Sequence, residues 1–218
     1  MASRAAVRGV LFDLDGVLAD TEPLHWAAYR EVLLELGVDV GIDEYRHRFI
    51  SRGGGPEYAV EQYRLPITAD ELRERKLPRY LALLRRGVQP RPGARAALDR
   101  LRGGFRTAVA TNSVRTEADL ILGALDLAPL LDTVVTREDY RDAKPAPDAY
   151  LTAAARVGLN AEECIVVEDT PRGLGAALAA GMRAVALPNE LTADNDFAGC
   201  TRRLAHLDEL TPELLRTL

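Results

Sequence analysis

Residues 7–16, with the sequence VRGVLFDLDG, decide the fold of this chain. The first six of these residues are rich in β-branched, aliphatic and aromatic side chains, a pattern typical of a short buried strand. The pattern stops abruptly at Asp13, and Asp15 and Gly16 follow in a segment typical of a turn. Because ligands of an open parallel sheet bind beyond the carboxyl ends of its strands, we expect both carboxylates at a binding edge.

The sequence from residue 94 onward alternates between helix and strand patterns. Such alternation is the signature of βαβ units, which build a mostly parallel sheet covered by helices. This alternation predicts an α/β fold with a Rossmann-like core. The tail, residues 202–218, is predicted to add a short strand and a helix. The predicted strands are 105–110, 133–135, 164–167 and 184–187, and the predicted helices are 94–102, 115–124, 147–157 and 172–180.

The segment between these two parts of the sheet has a different character. Its helical pattern begins near residue 21 and includes no convincing strand, and glycines and prolines between residues 87 and 93 mark its exit. A helical segment that leaves after the first strand and returns before the second predicts an inserted domain. We therefore predict a catalytic core of residues 1–20 and 90–218 and a helical cap domain of residues 21–89.

The composition narrows the class of protein. The chain has 218 residues, 2 cysteines and a formal net charge of −5. Two cysteines exclude a disulfide-rich secreted scaffold and a four-cysteine zinc site. The negative charge argues against broad binding to nucleic acid or to an anionic membrane. No apolar run approaches the roughly 20 residues that span a bilayer, so we expect a cytoplasmic protein, with a monomer as its expected state.

Polar side chains follow four predicted strands, and the carboxyl ends of neighbouring strands would bring them together. Four of these groups are carboxylates, which repel each other at short range unless a cation lies between them. Mg²⁺ is the natural cation because it combines protein carboxylates with phosphate oxygens and water. The candidate metal ligands are Asp13, Asp15, Glu168 and Asp169.

The same edge predicts phosphoryl transfer to a carboxylate. Asp13 would attack phosphorus and form an aspartyl phosphate, which divides one difficult displacement into two easier steps. Asp15 would protonate the leaving alkoxide and then accept a proton from the attacking water. The predicted substrate is a small phosphorylated metabolite. Lys144 and Thr111 are predicted to contact its phosphate and are grouped with Asp13 and Asp15 as catalytic residues. Asn112 and Ser113 are predicted to bind the substrate.

Four ordered motifs carry a family resemblance: FDLDGVL at residues 12–18, TN at 111–112, KP at 144–145 and ED at 168–169. Together they resemble the haloacid dehalogenase-like hydrolase superfamily. The helical insert and the DTE sequence at 20–22 are similar to its subgroup of β-phosphoglucomutase and small phosphosugar phosphatases. The resemblance implies a Rossmann-like core, a mobile helical cap and Mg²⁺-dependent phosphoryl transfer. The roles it implies are nucleophile for Asp13, acid and base for Asp15, phosphate contacts for Thr111 and Lys144, and metal binding for Asp169 with Glu168.

Three functions are compatible with these motifs. We predict a phosphatase. A phosphosugar mutase of the β-phosphoglucomutase type would share every core residue and would pass the phosphoryl group to a sugar hydroxyl instead of water. A non-catalytic phosphate-binding protein is the alternative from another class, although a site that only binds would not need Asp15. The dehalogenases of the superfamily lack this second aspartate, so its presence argues against dehalogenation.

Several residues of the predicted cap are candidates for contacts to the site. Asp20 and Thr21 are expected to cap the first helix of the cap and, secondarily, to shape the site. His25 corresponds in position to a hinge histidine of β-phosphoglucomutase, which would place it near Asp15 when the cap closes; the alternative is a surface histidine. Arg52 precedes three glycines and could bind an anionic substrate, or it could lie in a surface turn. Glycine or proline stands where the mutase carries a phosphate-binding cap arginine, which weakens the mutase alternative.

Overall fold

A computed structural model describes residues 5–50 and 55–218 of the chain. Its strands are β1 (Gly9–Phe12), β2 (Ala19–Asp20), β3 (Gln89–Pro90), β4 (Arg106–Ala110), β5 (Thr133–Val135), β6 (Cys164–Glu168), β7 (Arg183–Ala186) and β8 (Arg202–Arg203). Its α-helices are α1 (Glu22–Glu35), α2 (Ile42–Tyr45), α3 (Gly55–Tyr63), α4 (Ala69–Arg86), α5 (Ala94–Leu101), α6 (Arg115–Ala124), α7 (Asp148–Arg156), α8 (Pro171–Ala179) and α9 (Pro212–Thr217). A π-helical turn, Arg46–Ile50, continues α2.

Within the described residues, six strands form one sheet in the order β5-β4-β1-β6-β7-β8, and each neighbouring pair is parallel. β1 lies in the middle, where Phe12 is level with Val109 of β4 and with Val167 of β6. The carboxyl ends of these three strands therefore meet at one edge. This arrangement confirms the predicted α/β fold with a mostly parallel sheet.

The side chains of β1 alternate between the two faces of the sheet, as the two-residue period of a strand requires. Val10 and Phe12 pack in the apolar cluster that also holds Leu98 of α5, whereas Leu11 packs on the opposite face with Leu174 of α8. Helices thus cover both faces. A strand buried on both faces is apolar at nearly every residue, which is why the first strand was so clear in the sequence.

The helices from α1 to α4 have an apolar cluster of their own. Val32 and Leu33 of α1 pack there with Tyr45, Phe49 and Leu72. These side chains bury one another's apolar surface without using the sheet, so the helical segment forms a separate layer. Within the two described ranges of the chain, no helix is long and apolar enough to cross a membrane.

A separate antiparallel pair, β2 with β3, was not predicted. Ala19 pairs with Pro90 and Asp20 pairs with Gln89, so the chain enters the helical segment and leaves it at adjacent points. Each of these strands has two residues, too few for the alternation that signals a strand, and proline is disfavoured in most strands. The pair therefore forms from tertiary contact and not from a local preference.

Candidate active site

Residues that follow the central strands line a cavity of about 270 Å³, here called the inner cavity. A second cavity of about 600 Å³, the outer cavity, lies between this edge of the sheet and the helical segment. His25 and Arg172 line both cavities. The predicted site residues that line the inner cavity are Asp13, Asp15, His25, Thr111, Asn112, Ser113, Lys144 and Glu168.

The ammonium of Lys144 joins two carboxylates at this edge. Its Nζ donates to Asp13 Oδ1 at 2.6 Å and to Glu168 Oε1 at 2.8 Å. The hydroxyl of Tyr150 lies 2.7 Å from the same Nζ and donates to Glu168 Oε1 at 2.7 Å. Burial acts against the charged form of Lys144, but the charges of Asp13 and Glu168 outweigh it and raise the pKa of Lys144. The lysine is therefore a permanent cation at neutral pH.

Glu168 is held through both of its oxygens. In addition to the contacts of Oε1, its Oε2 accepts hydrogen bonds from the Asp169 backbone amide and from the Thr170 hydroxyl, both at 3.1 Å. The Thr170 hydroxyl also accepts from the Gly173 amide at 3.1 Å and so caps α8. A glycine is required at residue 173, because a Cβ there would lie 1.7 Å from Glu168 Oε1.

Three buried or half-buried carboxylates, those of Asp13, Glu168 and Asp169, offer oxygens that lie within 4.8 Å of one another. Asp169 Oδ2 accepts a hydrogen bond from Asn189 Nδ2 at 2.7 Å. Asp169 Oδ1 is buried without a hydrogen-bond partner in the described part of the chain. An ionised oxygen in that state is costly unless a cation takes the place of the donor, and hard divalent cations prefer carboxylate oxygens. The residues present therefore fit a divalent metal ion.

The balance of charge in this group points the same way. Burial raises the pKa of Asp13 to about 8, because the attraction of Lys144 compensates only in part and Glu168 and Asp15 repel the anion. Burial, followed by the charges of Glu168 and Asp13, raises the pKa of Asp169. The single positive charge of Lys144 does not balance the carboxylates of Asp13, Glu168 and Asp169, and a divalent cation would supply the missing positive charge.

The side chain of Asp15 belongs to a different group of contacts. Its Oδ1 accepts from the Thr21 hydroxyl at 2.6 Å, and its Oδ2 accepts from the hydroxyls of Ser113 at 2.7 Å and Thr111 at 3.3 Å. Burial favours the neutral acid, but His25 and the hydroxyl donors outweigh burial and hold the pKa of Asp15 well below its usual range. Asp15 is not among the three carboxylates that converge on the candidate metal site, and its role as a metal ligand stays a prediction.

Thr21 stands at the N-cap position of α1, as predicted, but its side chain does not cap the helix. Its hydroxyl donates to Asp15, and α1 begins without a side-chain cap. Pro23 and the acidic Glu22 in the first turn favour the start of the helix instead. Asp20, the other expected cap, lies in β2.

His25 connects Asp15 to the helical segment. Its Nε2 lies 3.7 Å from Asp15 Oδ1, and its Nδ1 accepts from Lys76 Nζ at 2.6 Å. The imidazole stacks on the ring of Tyr80, with 4.0 Å between centroids. Because Lys76 and Tyr80 both belong to α4, polar contacts run from this helix to Asp15. The expected proximity of His25 to Asp15 is present.

Two other predicted residues have different outcomes. Asn112 lines both cavities, and its Oδ1 accepts from the Tyr140 hydroxyl at 2.8 Å and from the Lys144 amide at 3.1 Å. Asn112 therefore supports the loop that carries Lys144, and its contact to substrate stays a prediction. Arg52 lies outside the described residues.

The sequence did not single out Tyr150 or Asn189. Asn189 follows β7 at the carboxyl edge of the sheet, so the rule that located the other site residues would also have found it. Tyr150 has no such signal, because it lies within α7 at a spacing that an ordinary apolar core residue would also occupy.

The comparisons with known proteins agree with the fold. Residues 7–181 match the family model of the haloacid dehalogenase-like hydrolases. The chain is 31% identical to protein CbbY of Rhodobacter capsulatus, over 97% of this chain and 99% of that protein. It is 34% identical to fructose-1-phosphate phosphatase YqaB of Escherichia coli, over 81% of this chain and 94% of that protein.

A solved structure shows the same architecture. The crystal structure of CbbY from Rhodobacter sphaeroides in complex with phosphate matches with a TM-score of 0.82 and 30% identity, over 97% of this chain and 100% of that one. The parallel sheet, the ordered motifs at its edge and these similarities lead to one conclusion. The chain belongs to the haloacid dehalogenase-like hydrolase family.

Proposed function

We propose that this protein is a Mg²⁺-dependent phosphatase that hydrolyses a small phosphorylated metabolite, of the phosphosugar type, through a phosphorylated Asp13. The observation that carries the proposal is the contact of Asp13 with the Lys144 ammonium, beside the acidic pair Glu168 and Asp169. A carboxylate flanked by a fixed cation and a metal-binding group is equipped to accept a phosphoryl group. One relative is named a fructose-1-phosphate phosphatase and one similar structure holds phosphate, which supports this chemistry.

In the first half-reaction, the Asp13 carboxylate attacks phosphorus while the ester bond to the leaving alkoxide breaks. Asp15 gives the alkoxide its proton. Lys144 orients Asp13 and offers positive charge to the oxygens of the transferred group, and Thr111 offers a hydroxyl donor. In the second half-reaction, water attacks phosphorus of the acyl phosphate, Asp15 accepts a proton from that water, and Asp13 is regenerated.

The contacts of Asp15 favour the ionised form that the second half-reaction needs. The first half-reaction needs the protonated form, so some of the donors must turn away before Asp15 can hold a proton. Ser113 and Thr111 line the inner cavity, where an entering phosphate can recruit their hydroxyls. Substrate binding would then raise the pKa of Asp15 and prepare the acid.

The residues that would hold the cation are Asp13, Glu168 and Asp169. We propose Mg²⁺, because the donors are carboxylate oxygens and the substrate brings phosphate oxygens. When bound, Mg²⁺ offsets the repulsion between an anionic nucleophile and an anionic phosphate. Asn189 acts as a positioning residue, since its amide fixes the orientation of Asp169.

We also propose the division into a core of residues 1–20 and 90–218 and a cap of residues 21–89. The separate apolar cluster of the helical segment and the β2–β3 pair at its two ends support this division. The outer cavity lies between the two parts and is lined by aromatic side chains such as Tyr45 and Phe49. The cap would therefore contact the carbon skeleton of the substrate, while the core handles the phosphate.

The test is phosphate release from fructose 1-phosphate, glucose 6-phosphate and acetyl phosphate, with Mg²⁺ and after its removal by a chelator. We expect release that requires Mg²⁺ and that falls at least about 1000-fold in Asp13→Asn, with thermal unfolding nearly unchanged. The exposed Asp43→Asn serves as the matched control. Full activity of Asp13→Asn would refute the nucleophile.

The same experiment separates the two alternatives. Sustained conversion of β-glucose 1-phosphate to glucose 6-phosphate, primed by a bisphosphate, would select the mutase. Binding of phosphate esters without any turnover would select the non-catalytic protein.

A further inference from the structure

A buried carboxylate that the mechanism does not use lines the inner cavity. Glu117 lies in the first turn of α6, is 9% exposed, and shares the cavity wall with Asp15, His25 and Ser113. The Val114 backbone amide donates to its carboxylate, and among the residues that the structure describes no side chain makes a hydrogen bond to it. A single backbone donor leaves most of the hydrogen-bond accepting capacity of a carboxylate unused at the cavity wall.

The Val114 contact supports the start of α6, but it explains only part of why a carboxylate is buried at the cavity wall. Acidic residues in the first turn of a helix are stabilised by the helix dipole when water also solvates them. Here burial raises the pKa of Glu117 by more than the charges of Lys76 and His25 lower it. The ionised side chain therefore costs folding free energy, and groups kept at such a cost inside a cavity are typical of functional sites.

Lys76 faces Glu117 from the helical segment, where α4 packs against α6. Its Nζ donates to His25 Nδ1, and Glu117 is the strongest of the negative charges that act on it. The two groups attract each other through space but form no ion pair within 4 Å. A hydroxyl group between them could accept a hydrogen bond from the ammonium and donate one to the carboxylate.

We propose that Glu117 is a specificity-determining residue that accepts a hydrogen bond from a hydroxyl group of the leaving alcohol, with Lys76 donating to the same hydroxylated region. The inference rests on the proposed function and narrows the substrate to phosphomonoesters of sugars or polyols. An alkyl phosphate without hydroxyls would offer neither buried charge a further hydrogen bond, and such sites reject the analogue that lacks the hydroxyl.

The kinetic test compares fructose 1-phosphate with n-hexyl phosphate, a six-carbon ester without hydroxyls. We expect Glu117→Gln to raise KM for fructose 1-phosphate about tenfold or more with a smaller change in kcat. The ratio of the two kcat/KM values should fall by a similar factor. Glu213→Gln, on the exposed face of α9, is the matched control and should leave this ratio unchanged.

Thermal unfolding separates recognition from a structural role. Because the buried charge opposes folding, Glu117→Gln should raise Tm while selectivity falls. A lower Tm together with equal losses on both esters would assign Glu117 to the fold and overturn the proposal. A wild-type enzyme that does not prefer fructose 1-phosphate over n-hexyl phosphate would overturn it as well.

Calorimetry on Asp13→Asn keeps this test independent of turnover. Adding Glu117→Gln to that variant should weaken binding of fructose 1-phosphate about tenfold. Equal affinities of the single and double variants would reject the role of Glu117. The absence of phosphate release by the wild-type protein would reject the proposed function and would leave the binding comparison interpretable.

Discussion

Lys144 Nζ lies 2.6 Å from Asp13 Oδ1, although 131 residues separate the two in sequence. The side chain of Lys144 is 4% exposed and also contacts Glu168, so its removal would leave two carboxylates without their cation. Lys144→Met should lower the free energy of unfolding by about 3–5 kcal/mol at pH 7 and abolish most activity. Urea denaturation with activity assays measures both.

An exposed ion pair provides the control for this experiment. Arg8 and Glu163 lie 2.7 Å apart, with the Arg8 side chain 65% exposed. Arg8→Met should cost less than about 1 kcal/mol, because water screens such pairs. Equal losses of unfolding free energy in Lys144→Met and Arg8→Met would contradict the expectation that the buried ion pair contributes more to stability than the exposed one.

Asn189 should control metal affinity without contacting the metal. Asn189→Ala removes the donor to Asp169 Oδ2 and should weaken Mg²⁺ binding about 10- to 100-fold. The rise of Tm with added Mg²⁺ measures this affinity. Thr192→Val is the control. It removes the hydroxyl that accepts from the Asn189 backbone N–H and leaves the contact between the Asn189 side chain and Asp169 in place. A similar loss of affinity in both variants would trace the effect to the loop instead.

Two glycines in helices should respond oppositely to alanine. A Cβ at Gly173 would overlap Glu168 Oε1, so Gly173→Ala should destabilise the protein by about 1–3 kcal/mol and disturb the site. A Cβ at Gly123 of α6 would meet nothing within 4 Å. Gly123→Ala should therefore stabilise by up to about 1 kcal/mol. Chemical denaturation of the two variants side by side measures the contrast, and a stabilised Gly173→Ala would show that Glu168 can move.

Asp139 should make stability depend on acid pH. Its carboxylate accepts from Arg115 and Arg156, each at 2.6 Å, and from the Thr136 amide at 2.8 Å. Burial raises the pKa of Asp139, but Arg156 and Thr136 outweigh burial and lower the pKa to about 2. A lowered pKa means that the contribution is present above the unfolded-state value near 4 and is lost as the pH falls towards 2.

Asp139→Asn should accordingly cost about 2 kcal/mol at neutral pH. The difference from wild type should stay constant from pH 7 to pH 5 and shrink between pH 4 and pH 2. Urea midpoints across this range measure it. A stability difference between wild type and Asp139→Asn that does not change with pH would mean that the charge of Asp139 does not account for its contribution.

Much of the fold was predictable because the central strands are buried on both faces. Such strands form continuous apolar runs, and Asp13, Thr111 and Glu168 could be placed together because each stands at the carboxyl end of one of them. The loop that carries Lys144 obeys the same rule. Local pattern and tertiary arrangement agree at each of these residues.

The remaining features depend on contacts that no local pattern encodes. Tyr150 meets Lys144 only because α7 packs on one face of the sheet. The sequence predicted that the Thr21 side chain would cap α1. In the fold, its hydroxyl donates to Asp15 Oδ1 at 2.6 Å instead. Glu117 resembles an ordinary surface acid at a helix start until the packing of α4 against α6 buries it.

The β2–β3 pair has an evolutionary consequence. Ala19 lies in register opposite Pro90, and the Arg91 amide donates to the Leu18 carbonyl, so the two ends of the helical segment are held side by side. Insertions, deletions or wholesale exchange of the intervening module would leave the catalytic scaffold's connectivity intact, since chain closure costs little once both ends are fastened. Under the proposed function, the residues that contact the alcohol can therefore change in evolution without altering those that break the phosphate ester bond.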